Sequence, residues 1–523
     1  MKLQYNSFFA LLAMFSVFAG KAFAQNTSSR AATDRQSTPN VIYIYADDLG
    51  YGDLGVYGAT KIKTPNTDRL AKEGLRFTNA HTTSGTCTPS RYGLLTGEYP
   101  WRKKGTGVLP GDANLIIPTD KATLPKVFQN AGYTTGVVGK WHLGFGEQGE
   151  KIDWNKPIKK GPDAVGFDYS FIFPATGDRV PTVFLENQLV VGLDPADPIE
   201  VNYQQKIGNE PTGKENPELL KLKASPDHGH DNTIVNGIGR IGFMTGGRQA
   251  RWADEEIGHA FTDKALAFIE TNRQKPFFLY FSLNDIHVPR MPSTEFKGKS
   301  GLGLRGDAIL QLDWTVGKVL DKLKEFGLEK NTIVIFSSDN GPVLDDGYDD
   351  GAVALLNGHN PRGPLRGGKG SAFEGGTRVP FIVRWPGVIR PGTTSDALIC
   401  QIDLLASFAG FFKQKLRPEE APDSESLFAT LTGKSQTGRQ VLVEQGGGIA
   451  IVRDGWKYIE PSAGPKTQKN GNENGRDPNP QLYNLKADLG EQNNLAEKQP
   501  GLMKELAALL EKIRTDGRSN SRK

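Results

Sequence analysis

The chain has 523 residues, of which 37% are hydrophobic and 23% charged, and its formal net charge is +4. This balance is typical of a globular protein and excludes a disordered, fibrous or polytopic membrane protein. The small net charge argues against a nucleic-acid partner, and the two cysteines are too few for a disulfide-dense scaffold.

Residues 1–24 predict a signal peptide that is removed on export. Lys2 precedes an apolar run over residues 8–19, and Ala-Phe-Ala at 22–24 fits a cleavage site. The run is shorter than a membrane-spanning helix, so we expect no stable membrane anchor. We therefore expect an exported protein, periplasmic or secreted, whose polar residues 25–39 form a linker.

Residues 40–435 alternate between apolar runs rich in β-branched and aromatic residues and segments with helical periodicity. The apolar runs lie at residues 41–46, 135–138, 277–283, 332–337 and 379–385, and the helical segments at 124–131, 260–272 and 309–326. This alternation predicts an α/β fold, in which a large, mostly parallel sheet is sandwiched by helices. Ligands of such sheets bind beyond the carboxyl ends of the strands.

Residues 436–523 predict a smaller C-terminal α+β subdomain. Its short predicted strands lie at residues 441–444, 449–453 and 456–459, a Gly/Asn/Pro-rich loop follows at 462–480, and a helix lies at 500–515. We therefore divide the chain into a catalytic α/β domain and this subdomain.

Acidic residues follow two of the predicted strands. Asp47 and Asp48 come after the first strand, and Asp339 and Asn340 follow the strand at 332–337. Three carboxylates and one amide oxygen, brought together at strand ends, form a hard oxygen site that suits Ca²⁺ or Mg²⁺. The alternative is turn chemistry, because Asp and Asn before Gly commonly end strands.

The most specific segment is Cys-Thr-Pro-Ser-Arg at residues 87–91, followed by Leu-Thr-Gly at 95–97. It resembles the maturation motif of the type I sulfatases, which belong to the alkaline phosphatase superfamily. In these sulfatases, the cysteine of the motif is oxidised to formylglycine. The alternative is a small buried cysteine before a helix.

The resemblance extends from residue 39 to residue 497. Further matching segments are G-K-W-H-L-G at 139–144, H-V-P at 287–289, D-N-G at 339–341, R-G-G-K-G at 366–370 and L-Y-N-L at 482–485. Their order along the chain makes the match specific. The resemblance implies an alkaline phosphatase-like fold and hydrolysis of sulfate esters.

The resemblance also implies the residues of the site. The implied ligands of one Ca²⁺ are Asp47, Asp48, Asp339, Asn340 and the group derived from Cys87. The implied catalytic residues are Cys87, Arg91, Lys140, His142, His287 and Lys369. Cations arranged around a sulfate ester stabilise the charge that spreads over its oxygens during cleavage.

Each catalytic residue has an expected role. Arg91 is expected to hold the hydrated formylglycine, and Lys140 and Lys369 to clamp sulfate oxygens. His287 is expected to protonate the leaving alcohol, and His142 to take the proton that accompanies sulfate release.

The resemblance gives residue 87 a specific chemistry. Hydrated formylglycine carries two hydroxyl groups: one attacks sulfur, and the second then expels sulfate and restores the aldehyde. A serine lacks the second hydroxyl and is expected to stall as a sulfated enzyme. A separate formylglycine-generating, or sulfatase-maturating, enzyme is therefore an implied partner. Cys400 is expected to be a buried structural thiol.

Residues 175–183 and 236–252 resemble the galactose- and N-acetylgalactosamine-6-sulfatase branch of the carbohydrate sulfatases. The resemblance implies a sulfated carbohydrate substrate, with Asp178 and Arg179 on the axial O4 of a galacto-configured sugar. The alternative is an ordinary ion pair in a turn. His230, in Asp-His-Gly-His-Asp at 227–231, is a further candidate substrate contact, although this segment could instead contribute to a Zn²⁺ site.

Two other functions stay open at this point. The first is a phosphoesterase or phosphonate hydrolase of the same superfamily. A single Ca²⁺ site with Lys140 and Lys369 favours a sulfatase instead, because phosphatases typically have two-metal sites. A noncatalytic protein that binds sulfated glycans is the other, and the intact motif at 87–91 argues against it.

Overall fold

The computed structural model describes residues 38–225 and 228–520. The predicted signal peptide and all but the last two residues of the predicted linker lie outside these ranges. Within them, no helix is both long enough and apolar enough to cross a membrane.

The strands of the described residues are, in chain order, β1 (Asn40–Ala46), β2 (Leu75–Phe77), β3 (Ala80–His81), β4 (Thr134–Lys140), β5 (Tyr169–Phe173), β6 (Leu185–Glu186), β7 (Leu189–Val190), β8 (Glu200–Asn202), β9 (Ile234–Val235), β10 (Ile238–Gly239), β11 (Phe243–Thr245), β12 (Phe277–Ser282), β13 (Thr332–Ser338), β14 (Phe381–Arg384), β15 (Thr393–Ser395), β16 (Ile399–Cys400), β17 (Val441–Gln445), β18 (Ile449–Arg453), β19 (Trp456–Ile459) and β20 (Gln481–Asn484).

Their α-helices are α1 (Pro65–Lys72), α2 (Cys87–Thr96), α3 (Leu124–Asn130), α4 (Pro162–Val165), α5 (Ile257–Asn272), α6 (Gly303–Glu325), α7 (Glu374–Thr377), α8 (Asp403–Phe411), α9 (Phe428–Leu431) and α10 (Pro500–Thr515).

The largest sheet has ten strands in the order β15-β2-β14-β13-β1-β12-β4-β5-β6-β7. Its centre, from β13 to β5, is parallel, whereas β14 and β6 pair antiparallel at its two sides. The predicted α/β class and its mostly parallel central sheet are therefore confirmed. The predicted strand at 379–385 begins only at Phe381, because Pro380 has no N–H to donate to the ladder.

Both faces of this sheet are covered. Along β1, Tyr43 and Tyr45 belong to one core cluster, which includes side chains of α2, α3 and α8. Ile42 and Ile44 belong to the other, which includes side chains of α1, α5 and α6. Since successive strand residues point to opposite faces, burial on both sides explains why this strand is apolar throughout.

The register brings the carboxyl ends of the central strands level with one another. Ala46 of β1 pairs with Ser338 of β13, and Tyr45 pairs with Ser282 of β12. Ser282 in turn pairs with Gly139 of β4. The segments that follow these strands therefore meet at one edge of the sheet.

A separate antiparallel sheet follows, with strand order β17-β18-β19-β20. Leu506, Leu510 and Ile513 of α10 pack into its core cluster. The three predicted strands and the predicted terminal helix are present, and β20 is an additional strand that sequence reasoning did not assign. The division into domains at residues 435 and 436 stays a prediction.

Candidate active site

The acidic cluster lies at the carboxyl ends of two neighbouring strands. Asp47 and Asp48 follow β1, Asp339 and Asn340 follow β13, and all four are fully buried. The Asp48 amide donates to Asp339 Oδ1 at 3.2 Å, and Asn340 Nδ2 donates to Asp48 Oδ1 at 2.7 Å. Carboxylate oxygens of the three aspartates lie within 4.8 Å of one another. The structure thus brings the four predicted side chains together.

The oxygens of this cluster fit a hard divalent cation. Among the described residues, Asp47 Oδ1 and Asn340 Oδ1 are buried without a hydrogen-bond partner. Burial, together with the charge of Asp339, raises the pKa of Asp47 well above its usual range. Both free oxygens could coordinate a bound Ca²⁺, whose charge would offset the repulsion between the carboxylates.

Three cationic side chains surround the carboxylates. Lys140 Nζ lies 2.6 Å from Asp47 Oδ2, Lys369 Nζ lies 2.9 Å from Asp48 Oδ2, and Arg91 Nη2 lies 2.7 Å from Asp339 Oδ2. Burial acts to raise the pKa of Asp48, but the charges of Lys369 and Lys140 outweigh it and lower this pKa.

Cys87 is the first residue of α2 and is buried. Its Sγ lies within 4.8 Å of both an Asp47 carboxylate oxygen and a His287 ring nitrogen. Burial raises the pKa of the Cys87 thiol to about 11, so the unmodified residue carries almost no nucleophilic thiolate at neutral pH. Cys400 is buried on β16, and neither cysteine forms a disulfide.

His142 and His287 follow β4 and β12. His142 Nε2 lies 2.9 Å from the carbonyl oxygen of Leu109, and His287 Nδ1 lies 2.7 Å from that of Val288. A carbonyl only accepts, so we assign the proton of each neutral ring to these nitrogens. Burial, reinforced by Lys140 at His142 and by Lys369 at His287, lowers the pKa of both rings well below the usual range.

The three predicted substrate contacts also meet. Asp178 and Arg179 lie in the loop after β5, and His230 comes from a distant segment. The Asp178 carboxylate lies 2.8 Å from Arg179 Nη1 and 2.9 Å from His230 Nε2. Burial acts to raise the pKa of Asp178, but Arg179 and His230 hold it well below its usual value. We call these three residues the Asp178 cluster.

The zinc alternative for this segment finds no support. Among the described residues, which leave out Asp227, no group of three close metal-ligating side chains contains His230. Three other histidines lie outside the site and form hydrogen bonds: His81 with Glu444, His259 with Ser293 and His359 with Asp53.

Sequence reasoning missed two features of the site. Asp346 Oδ2 lies 2.6 Å from Lys369 Nζ, and its carboxylate clusters with Asp48 and His287. The Asp-Asp-Gly run at 345–347 is typical of a turn and carries no local signal of a role in the site. Ser282, the last residue of β12, accepts a hydrogen bond from Arg91. A polar residue ending an apolar strand was a usable signal there.

Known proteins resemble this chain in sequence and in fold. A family model described as Sulfatase matches residues 39–413. The chain is 55% identical over 480 residues to the N-acetylgalactosamine-6-O-sulfatase of Bacteroides thetaiotaomicron, covering 91% of this chain and 93% of that protein. It is 32% identical over 494 residues to human arylsulfatase A, covering 91% and 87%.

A solved structure gives the same result. It was described with the metabolism of multiple glycosaminoglycans by Bacteroides thetaiotaomicron, is 55% identical, and superposes with a TM-score of 0.90 over 91% of this chain and 99% of that chain. The family match and the curated relatives favour an enzyme that hydrolyses sulfate esters over both a phosphoesterase and a noncatalytic glycan-binding protein. The chain therefore belongs to the sulfatase family and is a sulfuric ester hydrolase.

Proposed function

We propose that this sulfatase is an exported, calcium-dependent enzyme that removes 6-O-sulfate from galactose or N-acetylgalactosamine in a sulfated glycan. The observation that carries the proposal is the place of Cys87, at the start of α2 and against the buried aspartates. The 55% identical relative named N-acetylgalactosamine-6-O-sulfatase supports this choice of sugar and sulfate position.

One Ca²⁺ is the proposed metal. Its ligands are Asp47, Asp48, Asp339, Asn340 and the group at residue 87. When bound, it supplies positive charge beside the reacting oxygens of the ester. Lys140 and Lys369 contact the same carboxylates. With these carboxylates shared by a metal ion, the two ammonium groups would be available to bind sulfate oxygens.

Formylglycine made from Cys87 is the proposed nucleophile, and it supplies hydroxyl groups in place of a thiol that burial keeps protonated. Arg91 lies one helical turn along α2 from residue 87 and donates to Asp339, so it fixes the position of that carboxylate. The conversion requires a maturating enzyme as partner, and export rests on the signal peptide predicted at residues 1–24.

The two histidines are the proposed proton carriers. The free nitrogen of His142 is Nδ1, which is buried without a partner among the described residues and can accept a proton. The free nitrogen of His287 is Nε2, which lies 3.8 Å from Asp48 Oδ2. An anionic sulfate ester beside His287 favours its protonated form, which then donates to the leaving alcohol.

The Asp178 cluster is the proposed sugar-binding site. The Asp178 carboxylate is a hydrogen-bond acceptor. The guanidinium of Arg179 is a donor, and the Arg179 side chain is 16% exposed. The pair can therefore accept from one sugar hydroxyl and donate to another. We assign it to the axial O4 of the galacto sugar.

The test is a desulfation assay. The panel contains 6-O- and 4-O-sulfated galactose, N-acetylgalactosamine and N-acetylglucosamine, and peptide mass first establishes that Cys87 is converted. We expect sulfate release from the 6-O-sulfated galacto sugars and none from a Cys87→Ala control. Release from another sugar contradicts the assigned substrate. Hydrolysis of matched phosphate esters in place of sulfate esters contradicts the proposed reaction.

A further inference from the structure

Lys369 is held from two sides. Its Nζ lies 2.9 Å from Asp48 Oδ2 and 2.6 Å from Asp346 Oδ2. Asp48 belongs to the carboxylates that fit a metal ion, so a bound cation would compete with Lys369 for that carboxylate. Asp346 then remains the carboxylate partner of this lysine. A charge-assisted hydrogen bond of this length restrains a long, flexible ammonium side chain.

The turn that carries Asp346, residues 345–348, is fixed by a distant segment, and we call it the aspartate turn. The Ser225 amide donates to the carbonyl of Gly347 at 3.1 Å, and Ser225 Oγ donates to Asp345 Oδ1 at 2.8 Å. Ala224 forms an antiparallel bridge with Tyr348. The position of Asp346 therefore depends on these contacts.

The same turn supports the Asp178 cluster. The His230 ring packs on Tyr348 with ring centroids 4.7 Å apart, and its Nε2 reaches Asp178 Oδ2. Gly347 has a φ of +104°, and a Cβ there would lie 2.0 Å from His230 Cε1 and Nδ1. Glycine is required at this position for both its backbone conformation and the close approach of the ring.

We propose that Asp346 is a positioning residue for Lys369 and that the aspartate turn links this lysine to the Asp178 cluster. The inference rests on the proposed function, in which Lys369 binds sulfate and the Asp178 cluster binds the sugar. One turn thus fixes the sulfate-binding and sugar-binding sides of the site relative to each other.

The test compares Asp346→Ala with Asp346→Asn, whose amide oxygen still accepts from Lys369 Nζ. We expect Asp346→Ala to lower kcat/KM at least about tenfold, both for a 6-sulfated galacto sugar and for a small aryl sulfate, and Asp346→Asn to recover most of the loss. Asp349→Asn, an exposed change just beyond the turn, is the matched control and should match wild type. Equal losses in the Ala and Asn variants overturn the proposal.

A double-mutant cycle with Lys369→Ala separates positioning from a general structural role. If Asp346 acts through Lys369, Asp346→Ala should lower kcat/KM by less than about twofold in the Lys369→Ala background. Losses that add in the double variant contradict the inference.

Crystal structures with Ca²⁺ provide a readout that does not depend on turnover. Lys369 Nζ should be displaced in Asp346→Ala and retained in Asp346→Asn. An unmoved Nζ in the Ala variant overturns the inference. An inactive wild-type enzyme contradicts only the proposed function, because the position of Lys369 still decides the inference.

The link through the turn has its own variant, Gly347→Ala. The clash with His230 should shift the turn and lower turnover of the aryl sulfate as well as the sugar, whereas Asp178→Ala should affect the sugar alone. Unchanged aryl sulfatase activity in a folded Gly347→Ala variant contradicts the link. If this variant does not fold, the Asp346 experiments decide the role of Asp346, and Tyr348→Leu, which removes the ring that packs on His230, tests the link in the same two assays.

Discussion

Two buried clusters in this molecule each bring three carboxyl groups together, but they lie at different places in the fold. In the active site, Asp47, Asp48 and Asp339 follow the ends of β1 and β13. The second group, which we call the Lys457 cluster, consists of Lys457, Glu374, Glu444, Glu491 and His81, all with fully buried side chains. Each cluster contains three metal-ligating side chains close enough to share an ion.

The Lys457 cluster contains its own cation. Lys457 Nζ lies 2.9 Å from Glu374 Oε1, 3.2 Å from Glu444 Oε2 and 3.6 Å from Glu491 Oε1. In the active site, Asp47 Oδ1 lies 3.8 Å from the guanidinium of Arg91 and has no hydrogen-bond partner among the described residues. Glu444 Oε2 and Glu491 Oε1 of the Lys457 cluster likewise lack a hydrogen-bond partner there. Neither the proximity of carboxylates nor an oxygen without a hydrogen-bond partner is therefore sufficient evidence for a metal site, and the position of the cluster in the fold distinguishes the two.

The locations of the clusters agree with different roles. The Lys457 cluster joins β3 and α7 to β17 and β19 of the four-stranded sheet. It therefore connects two layers of the fold. The active-site cluster lies where parallel strands end, which is where α/β sheets bind ligands.

Lys457→Met should be the most damaging change to stability. It leaves Glu374 and Glu444, whose pKa values Lys457 lowers, without their shared cation, and breaking a buried ion pair in this way costs about 3–5 kcal/mol. Thermal unfolding should show a large fall in Tm, while Lys504→Met, an exposed change on α10, should leave it unchanged. An unchanged Tm in Lys457→Met would remove the structural role of this cluster.

Lys369→Met makes the same chemical change in the active site and should cost activity instead of stability. With Ca²⁺ bound, Asp48 keeps a cationic partner, but a sulfate oxygen loses its ammonium group. Removing one such electrostatic contact costs about 10²–10³-fold in kcat, equivalent to about 3–4 kcal/mol. Steady-state kinetics and Tm in Ca²⁺ measure the two effects, and a large fall in Tm with activity retained would reverse the contrast.

Asp178→Ala should reduce activity on galacto-configured substrates by about 10–100-fold, because the sugar O4 loses its carboxylate acceptor and Arg179 loses its partner. The informative quantity is the ratio of kcat/KM for 6-sulfated N-acetylgalactosamine to that for 6-sulfated N-acetylglucosamine. An unchanged ratio would refute the role of Asp178 in recognising O4.

Glu491→Gln should be stabilising, but only at higher pH. Burial, aided by Glu374 and opposed by Lys457, raises the pKa of Glu491 from 4.5 to about 8. The folded state binds this proton more tightly than the unfolded state, so the native protein loses stability as the pH rises from 4.5 towards 8. The glutamine variant avoids this loss.

Unfolding at pH 4 and at pH 9 measures the effect of Glu491→Gln. We expect a gain of about 1–2 kcal/mol at pH 9 and little change at pH 4. Glu497→Gln, at an exposed position, provides the control. A gain of the same size at both pH values would show that the titration of Glu491 is not its cause.

The sequence predicted the centre of the fold better than its edges. Strands β1 and β13 are buried on both faces, so their long apolar runs stand out. Strands such as β6 and β7 have only two residues each and are set by pairing with distant segments. The strand β20 has only four residues and follows a Gly/Asn/Pro-rich loop, so no long apolar run marks it.

The sequence located the residues at the ends of the central strands, because register and strand direction bring them together. It missed Asp346, which comes from a loop without periodicity and is 23 positions from Lys369 in the chain. It also gave no sign that Lys457, within the correctly predicted strand β19, has a fully buried side chain. Both contacts depend on tertiary packing between segments that no local pattern links.

Calcium binding tests the central claim most directly. Isothermal titration of chelator-treated protein, with an assay of sulfate release at each calcium concentration, compares wild type with Asp339→Asn and Glu444→Gln. We expect one Ca²⁺ per chain, recovery of turnover at the concentration that fills this site, loss of binding in Asp339→Asn and retention in Glu444→Gln. Calcium binding that survives Asp339→Asn and disappears in Glu444→Gln, or turnover that is insensitive to chelation, would contradict the central claim.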